Sequence, residues 1–319
     1  MSTVNLIDQL AATFVMLITP EYAKVKAARQ VSSQRKPPRQ APLSMQPAYQ
    51  KIDGVNIRFA KGGNPNGETI LFLSPLPQSI FAFDPIWQLL SQDFNLFAID
   101  IPGFGRSDGG KQFMTFAGQR EFFPKMIAAL DIPPCHIVGP DVGMPVALLY
   151  ALDHPEKVKS LLIGDGPALA TGKNGSVINK MVYSGFWRSI LSVSAGAFVE
   201  AGNRLGYVNY SPSAEEVEDY VASYQGRVGM IARWFANYPQ SLALLSPQLE
   251  NLEVPVQIFW GDLDQFLLAE NAGELGQVLR RSQVKVFENC GHYSYQDQAI
   301  EFAEMVKTWI MSGYMGRTD

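Results

Sequence analysis

A chain of 319 residues with 47% apolar side chains is long enough for one large α/β domain that carries an insertion. Its net charge of −4 gives no reason to expect a nucleic-acid partner. Two cysteines, Cys135 and Cys290, make no disulfide framework, and they read as the reduced thiols of a cytoplasmic protein.

Taken in chain order, the first apolar stretch is LIDQLAATFVMLI, residues 6–18. It contains Asp8 and Gln9, no basic residue precedes it, and no convincing cleavage site follows, which argues against a signal peptide. It is also shorter than the ~20 residues of a membrane span. Leu6, Leu10, Phe14 and Leu17 recur at helical spacing, so an amphipathic helix is expected. A basic, proline-containing run over 24–47 then reads as an extended arm, so residues 1–48 form one unit. The helix is expected to pack on the protein's own body or on a second subunit in a homodimer. Peripheral membrane contact through helix and basic arm is the sharper alternative.

From residue 49 the pattern changes. VNIRFA (55–60) alternates as an edge strand does, and TILFLS (69–74) is a continuous apolar run. NLFAID, HIVG, VKSLLIGD, VPVQIFWG and QVKVFE repeat it, separated mostly by helical runs such as FFPKMIAALD and NAGELGQVLRR. Buried strands alternating with helices predict an α/β fold with a mainly parallel sheet covered on both faces. Residues 168–250 lack a good buried strand but hold helical runs, one of which starts with a capping box from Ser213 to Glu216. This interval is expected to be a helical cap inserted into a core of 49–167 and 251–319.

Four motifs then stand in one order. AIDIPGFGRSD (98–108) ends a strand in a glycine turn, and Gly139-Pro140-Asp141-Val142-Gly143 joins a strand to a helix. WGDLDQFL (260–267) and ENCGHYSYQD (288–297) each follow a strand. Together they resemble the α/β-hydrolase superfamily over about residues 49–312, with Asp141 at the nucleophile elbow where serine members carry G-x-S-x-G. An aspartate there resembles the epoxide hydrolases and haloalkane dehalogenases. Its carboxylate displaces a leaving group from saturated carbon, and water cleaves the resulting ester.

That resemblance implies the remaining roles. Of the three histidines, His136 begins a strand and His154 ends a helix, which leaves His292 as the base. The acid that orients it is Asp264, with Asp165 and Asp262 as alternatives. The oxyanion hole takes the amides of Leu76 and Val142, although Ser74-Pro75-Leu76-Pro77 replaces the usual His-Gly-x-Pro. Val142 also stands where many dehalogenases place a tryptophan that binds halide, which favours the epoxide. In the cap, RWFANY (233–238) resembles the segment that bears a substrate-binding tyrosine, so Trp234, Phe235 and Tyr238 are candidates, with Phe235 at the matching position. The expected protein is a hydrolase without cofactor or metal that acts with water on a small hydrophobic substrate. A haloalkane dehalogenase-like enzyme and a non-catalytic binding protein of this fold are the alternatives.

Overall fold

The computed structural model describes residues 4–40, 42–169 and 177–314. The chain begins with helices α1 (Leu6–Leu17) and α2 (Tyr22–Val31), followed by β1 (Pro47–Ile52), β2 (Val55–Gly63) and β3 (Thr69–Leu73). Next come α3 (Asp84–Leu90), β4 (Asn95–Ile99), α4 (Phe116–Ala129), β5 (Cys135–Pro140), α5 (Gly143–Asp153) and β6 (Val158–Gly164). Between β6 and β7 the described residues form only helices and loops: α6 (Val177–Tyr183), α7 (Gly185–Leu191), α8 (Ala195–Gly206), α9 (Ala214–Tyr224), α10 (Val228–Ala236) and α11 (Tyr238–Leu245). The chain closes with β7 (Val256–Gly261), α12 (Glu270–Val278), β8 (Ser282–Phe287), α13 (Ser294–Asp297) and α14 (Ala299–Met311).

The strands form one sheet in the order β1-β2-β4-β3-β5-β6-β7-β8, parallel from β4 to β8. Every residue of β3, β4, β5 and β7 is buried, as strands covered on both faces must be. Helix α5 covers one face of the central strands β5 and β6, α4 packs on α5 and on β1, and α3 packs against α14. The chain leaves β3 toward β4 on one side, and β5 lies on the other. The crevice at the carboxyl ends of β3 and β5 is therefore a topological switch point, where open sheets bind ligands.

Two expectations are corrected. VNIRFA is not an edge strand, because β2 pairs with both β1 and β4. The edge is β1, which begins inside the segment read as an arm. The signal for it lay in Asp53-Gly54, whose φ values of 43° and 85° make the two-residue hairpin turn that Asp-Gly favours. The second correction concerns α1. It packs on α8, but through Ala12, Val15 and Met16 and not through the leucine stripe. Asp8 decides the orientation. Its carboxylate caps α1 by accepting from the Asn5 amide at 3.1 Å and accepts from Ser194 Oγ at 2.5 Å. Ser194 is the N-cap of α8, so an acidic group sits at a helix N-terminus, where the dipole favours it.

The arm is tied down as well. Asp84, buried at the start of α3, accepts from the Ser44 amide and hydroxyl at 2.7 Å each and from the Met45 amide at 2.9 Å. Arg39 pairs with the same carboxylate.

Candidate active site

Asp141 ends the sharp turn between β5 and α5 with φ of 48°, a left-handed conformation that is strained for a side-chain-bearing residue. The turn closes because its flanking glycines lack side chains. A Cβ on Gly139 would lie 2.9 Å from the Gly143 carbonyl oxygen, and one on Gly143 would lie 2.9 Å from Leu73 Cβ. The carboxylate is thereby lifted into the switch-point crevice.

Its two oxygens have different surroundings. Oδ2 accepts a hydrogen bond from the Leu76 amide at 2.6 Å, and the Val142 amide also donates to the carboxylate. Oδ1 lies 4.0 Å from His292 Nε2. That gap is too long for a direct hydrogen bond, yet a single water can reach both atoms across it. Burial pushes the Asp141 carboxyl up to about 6, against the pull of the His292 charge and the two amides.

His292 follows β8 in a short loop and is buried. Its Nδ1 bonds Asp264 Oδ2 at 2.8 Å. The other oxygen of Asp264 accepts from the Phe266 and Leu267 amides at 2.8 and 3.1 Å, which locks the carboxylate. Burial alone would lower the imidazole, but the neighbouring Asp264 carboxylate, then Asp141 and Asp165, outweigh it and push it up to about 9.

The alternative acids are engaged elsewhere. Asp165 is buried and accepts from the Gly261 amide at 3.1 Å and Ser294 Oγ at 2.7 Å. Asp262 accepts from the Cys290 amide at 3.0 Å. His136 is buried against Ser160 at 2.7 Å, and His154 is half-buried beside Tyr150.

The crevice opens into an apolar cavity whose walls include Leu76, Met181, Trp187, Phe198, Phe235 and Tyr293, together with Asp141 and His292. Phe235 thus reaches the cavity, while Trp234 and Tyr238 do not line it. Trp234 packs on Phe104 and Phe116 and donates from Nε1 to the Tyr238 hydroxyl at 2.9 Å.

Two contributors were missed at the sequence level. Val15 and Thr19 of the α1 segment line the cavity, although periodicity pointed to the opposite face of that helix. Tyr293, next to the histidine, presents a buried hydroxyl with no hydrogen-bond partner among the described residues. Its ring fits against α8 because Gly206 offers no Cβ; one there would lie 2.2 Å from the ring. Nothing in the motif GHYSYQD distinguishes this tyrosine from a packing residue. Among the described residues, no group of His, Cys, Asp and Glu side chains is arranged to hold a metal ion.

A family model described as alpha/beta hydrolase fold matches residues 68–299. Among curated relatives, the dihydrolipoyllysine-residue acetyltransferase component of the acetoin cleaving system of Cupriavidus necator is 27% identical, covering 82% of this chain and 68% of that protein. Among solved structures, a bacterial membrane phospholipase A superposes with TM-score 0.71 at 22% identity, covering 97% of both chains. The epoxide hydrolase CorEH superposes with TM-score 0.73 at 18% identity, covering 84% of this chain and 99% of that one. The chemistries of these proteins differ, so the choice among them rests on the residues of the crevice.

Proposed function

The chain belongs to the α/β-hydrolase fold family, and on that premise we propose that it hydrolyses its substrate through a covalent alkyl ester on Asp141, with an epoxide as the leading substrate class. The carrying observation is that Oδ2 of Asp141 already accepts from the Leu76 amide at 2.6 Å, with the Val142 amide also donating to the carboxylate. In a serine hydrolase such a pair holds an oxygen of the substrate. Here it holds the enzyme's own carboxylate, whose ester carbonyl must be polarised for the second step.

The chemistry follows from that placement. Oδ1 attacks a ring carbon, the carbon–oxygen bond of the epoxide breaks, and the electron pair goes to the departing oxygen, which needs a proton. Tyr293 is the donor best placed for this, since it lines the cavity and its hydroxyl has no hydrogen-bond partner among the described residues. His292 then takes a proton from water, which attacks Cγ of Asp141, and Asp264 holds the imidazole in its working tautomer. The tetrahedral oxyanion forms on Oδ2 beside the two amides. Collapse breaks the Cγ–Oδ1 bond, and the imidazolium gives its proton to Oδ1, so the diol leaves; water has supplied the replacement oxygen of Asp141, whose carboxyl proton returns to the Tyr293 oxygen. Ester formation also removes the Asp141 charge, one of the groups that hold the imidazolium, so His292 becomes a base when one is needed. Val142 offers a departing halide no side-chain donor, which supports the epoxide over the haloalkane.

His292→Gln removes the base and keeps the nucleophile. This variant should accumulate an adduct on the peptide containing Asp141, visible by mass spectrometry. An epoxide adds its whole mass, and a haloalkane adds its alkyl group alone. In the same assay Tyr293→Phe should slow adduct formation from epoxides at least tenfold and leave alkylation by a reactive alkyl halide unchanged. Wild-type hydrolysis of these compounds with no adduct on the His292 variant would remove Asp141 as the nucleophile. If neither protein reacts with a broad panel, the binding-protein reading stands instead.

A further inference from the structure

The leucine stripe that α1 does not bury lies in the open. Leu6, Ile7, Leu10, Phe14 and Leu17 are between 53% and 80% exposed. The one charged residue of the helix, Asp8, is turned inward and buried, so the outer face of α1 carries no charge. This is a 12-residue helix whose inner face packs on α8 while its outer face is more apolar than the inner one. Five large apolar side chains with no charge among them, continued by further exposed apolar residues nearby, mark an interaction surface.

Its surroundings indicate what covers it. The helix lies over the catalytic cavity, with Val15 and Thr19 in the cavity wall. Most of the wall is buried, and Trp187, Leu191 and Phe266 are the lining residues that reach solvent. These three pack against the cluster that joins Ala12, Val15 and Met16 of α1 to Val177, Ala201 and Leu205, so the mouth of the cavity lies where α1 meets α6 and α8. The neighbouring helix α7 adds exposed Phe186, and Val193 is exposed just beyond it. Charge completes the pattern. Residues 1–48 hold six lysines and arginines against two acidic residues, in a chain whose net charge is −4. Lys24 and Lys26 of α2 are exposed directly after the apolar helix.

We propose that the outer face of α1 docks on an anionic lipid surface, with Lys24 and Lys26 at the headgroups and the cavity mouth turned toward the lipid. An uncharged helical face followed by cations is the chemistry of a helix lying in a membrane interface. A second copy of this chain fits less well. A 12-residue helix is about 18 Å long and about 10 Å across, so its face covers on the order of 200 Å². A stable dimer buries about 800 Å² per partner. No helix among the described residues is long and apolar enough to cross a membrane, so the contact is peripheral. The docking itself does not rest on the chemistry assigned to Asp141. It adds to that reading a route by which a poorly soluble substrate enters from lipid.

The test is sedimentation of the full chain with vesicles, either phosphatidylcholine alone or phosphatidylcholine with 30% phosphatidylglycerol. The wild type should partition onto the anionic vesicles, and Leu10→Asp combined with Phe14→Asp should lower that partition at least tenfold. Both side chains are exposed, so the thermal melt should not move. The proposal is overturned if the wild type stays in the supernatant, if it shows no preference for the anionic vesicles, or if the double variant binds as well as the wild type. It is also overturned if light scattering shows a wild-type dimer that the double variant dissolves without any vesicle binding. A His292→Gln adduct assay in detergent-free buffer reads the Asp141 chemistry separately.

Discussion

Asp141 is held in a left-handed turn, beside two amides and near a histidine, and its burial sets the proton affinity of its carboxyl. On the proposed chemistry only the ionised carboxylate attacks carbon. Because the carboxyl is pushed up to about 6, formation of the alkyl-enzyme should lose about tenfold in rate per pH unit below that value and be flat above it. The His292 charge lowers the Asp141 carboxyl, so removing it has a definite sign. In His292→Gln the bend in a rapid-quench profile of adduct formation should move above 6. A profile without a bend between pH 5 and 8 in both proteins would mean that another group carries the first step. Sequence alone assigned the histidine by motif order. It left Asp264, Asp165 and Asp262 open because all three lie at the ends of strands. Which carboxylate meets the imidazole depends on how β6, β7 and β8 sit side by side, and the distance of 2.8 Å belongs to Asp264.

At the scale of elements, the informative case is the arm. Its proline and basic content read as an extended arm. Asp84 instead gathers the Ser44 amide and hydroxyl, the Met45 amide and Arg39 at the foot of α3, and Arg29 donates to the Arg204 carbonyl at 2.9 Å. Asp84→Ala leaves two backbone donors without their acceptor, at a cost of about 2–3 kcal/mol for charge-assisted bonds. Urea unfolding should show that loss, and limited proteolysis should cut first within 32–46. A loss below ~0.5 kcal/mol with an unchanged cleavage pattern would mean that the arm is held by other contacts. The opposite orientation of α1 has a similar origin. Periodicity counts apolar residues, and α1 has apolar residues on more than one face. Asp8, paired with the N-cap of α8, selects the face that turns inward.

At the scale of the molecule, the helices between β6 and β7 are fastened to the sheet by buried charge. Arg58 of β2 bonds both oxygens of Asp219 in α9, at 3.0 and 2.9 Å. Asp219 also accepts from Ser79 Oγ at 2.5 Å, and Arg227 of the cap donates to the Ser107 carbonyl at 2.8 Å. Asp100, buried beneath, lies 3.5 Å from Arg58. Asp219→Ala would leave the Arg58 guanidinium buried with that longer contact and the face of the Phe81 ring, 4.5 Å away. Breaking a buried pair from one side costs about 3–5 kcal/mol, so equilibrium urea unfolding should register a loss of that order. A change under ~1 kcal/mol would show that water relaxes into the site and that these helices are held by their apolar contacts.

The strands and the helices were legible because their signals are local. Continuous apolar runs mark strands covered on both faces, and Ser213 with Glu216 marks the start of α9, where both capping bonds form. The elbow was legible for the same reason, since Gly139, Asp141 and Gly143 lie within five residues. Asp53-Gly54 carried a local signal too, but the polar strand before it concealed the hairpin. What the sequence could not decide is everything that depends on distant segments meeting. The amides that meet the Asp141 carboxylate come from residues 76 and 142, the cavity wall joins Val15 to Phe235 and Tyr293, and Trp234 and Tyr238 turn toward Phe104 and Phe116 instead. A side chain's periodicity states that one face is apolar. Only the packed structure determines which partner covers that face, and hence which hydroxyl has no partner among the described residues and which leucines remain in the open.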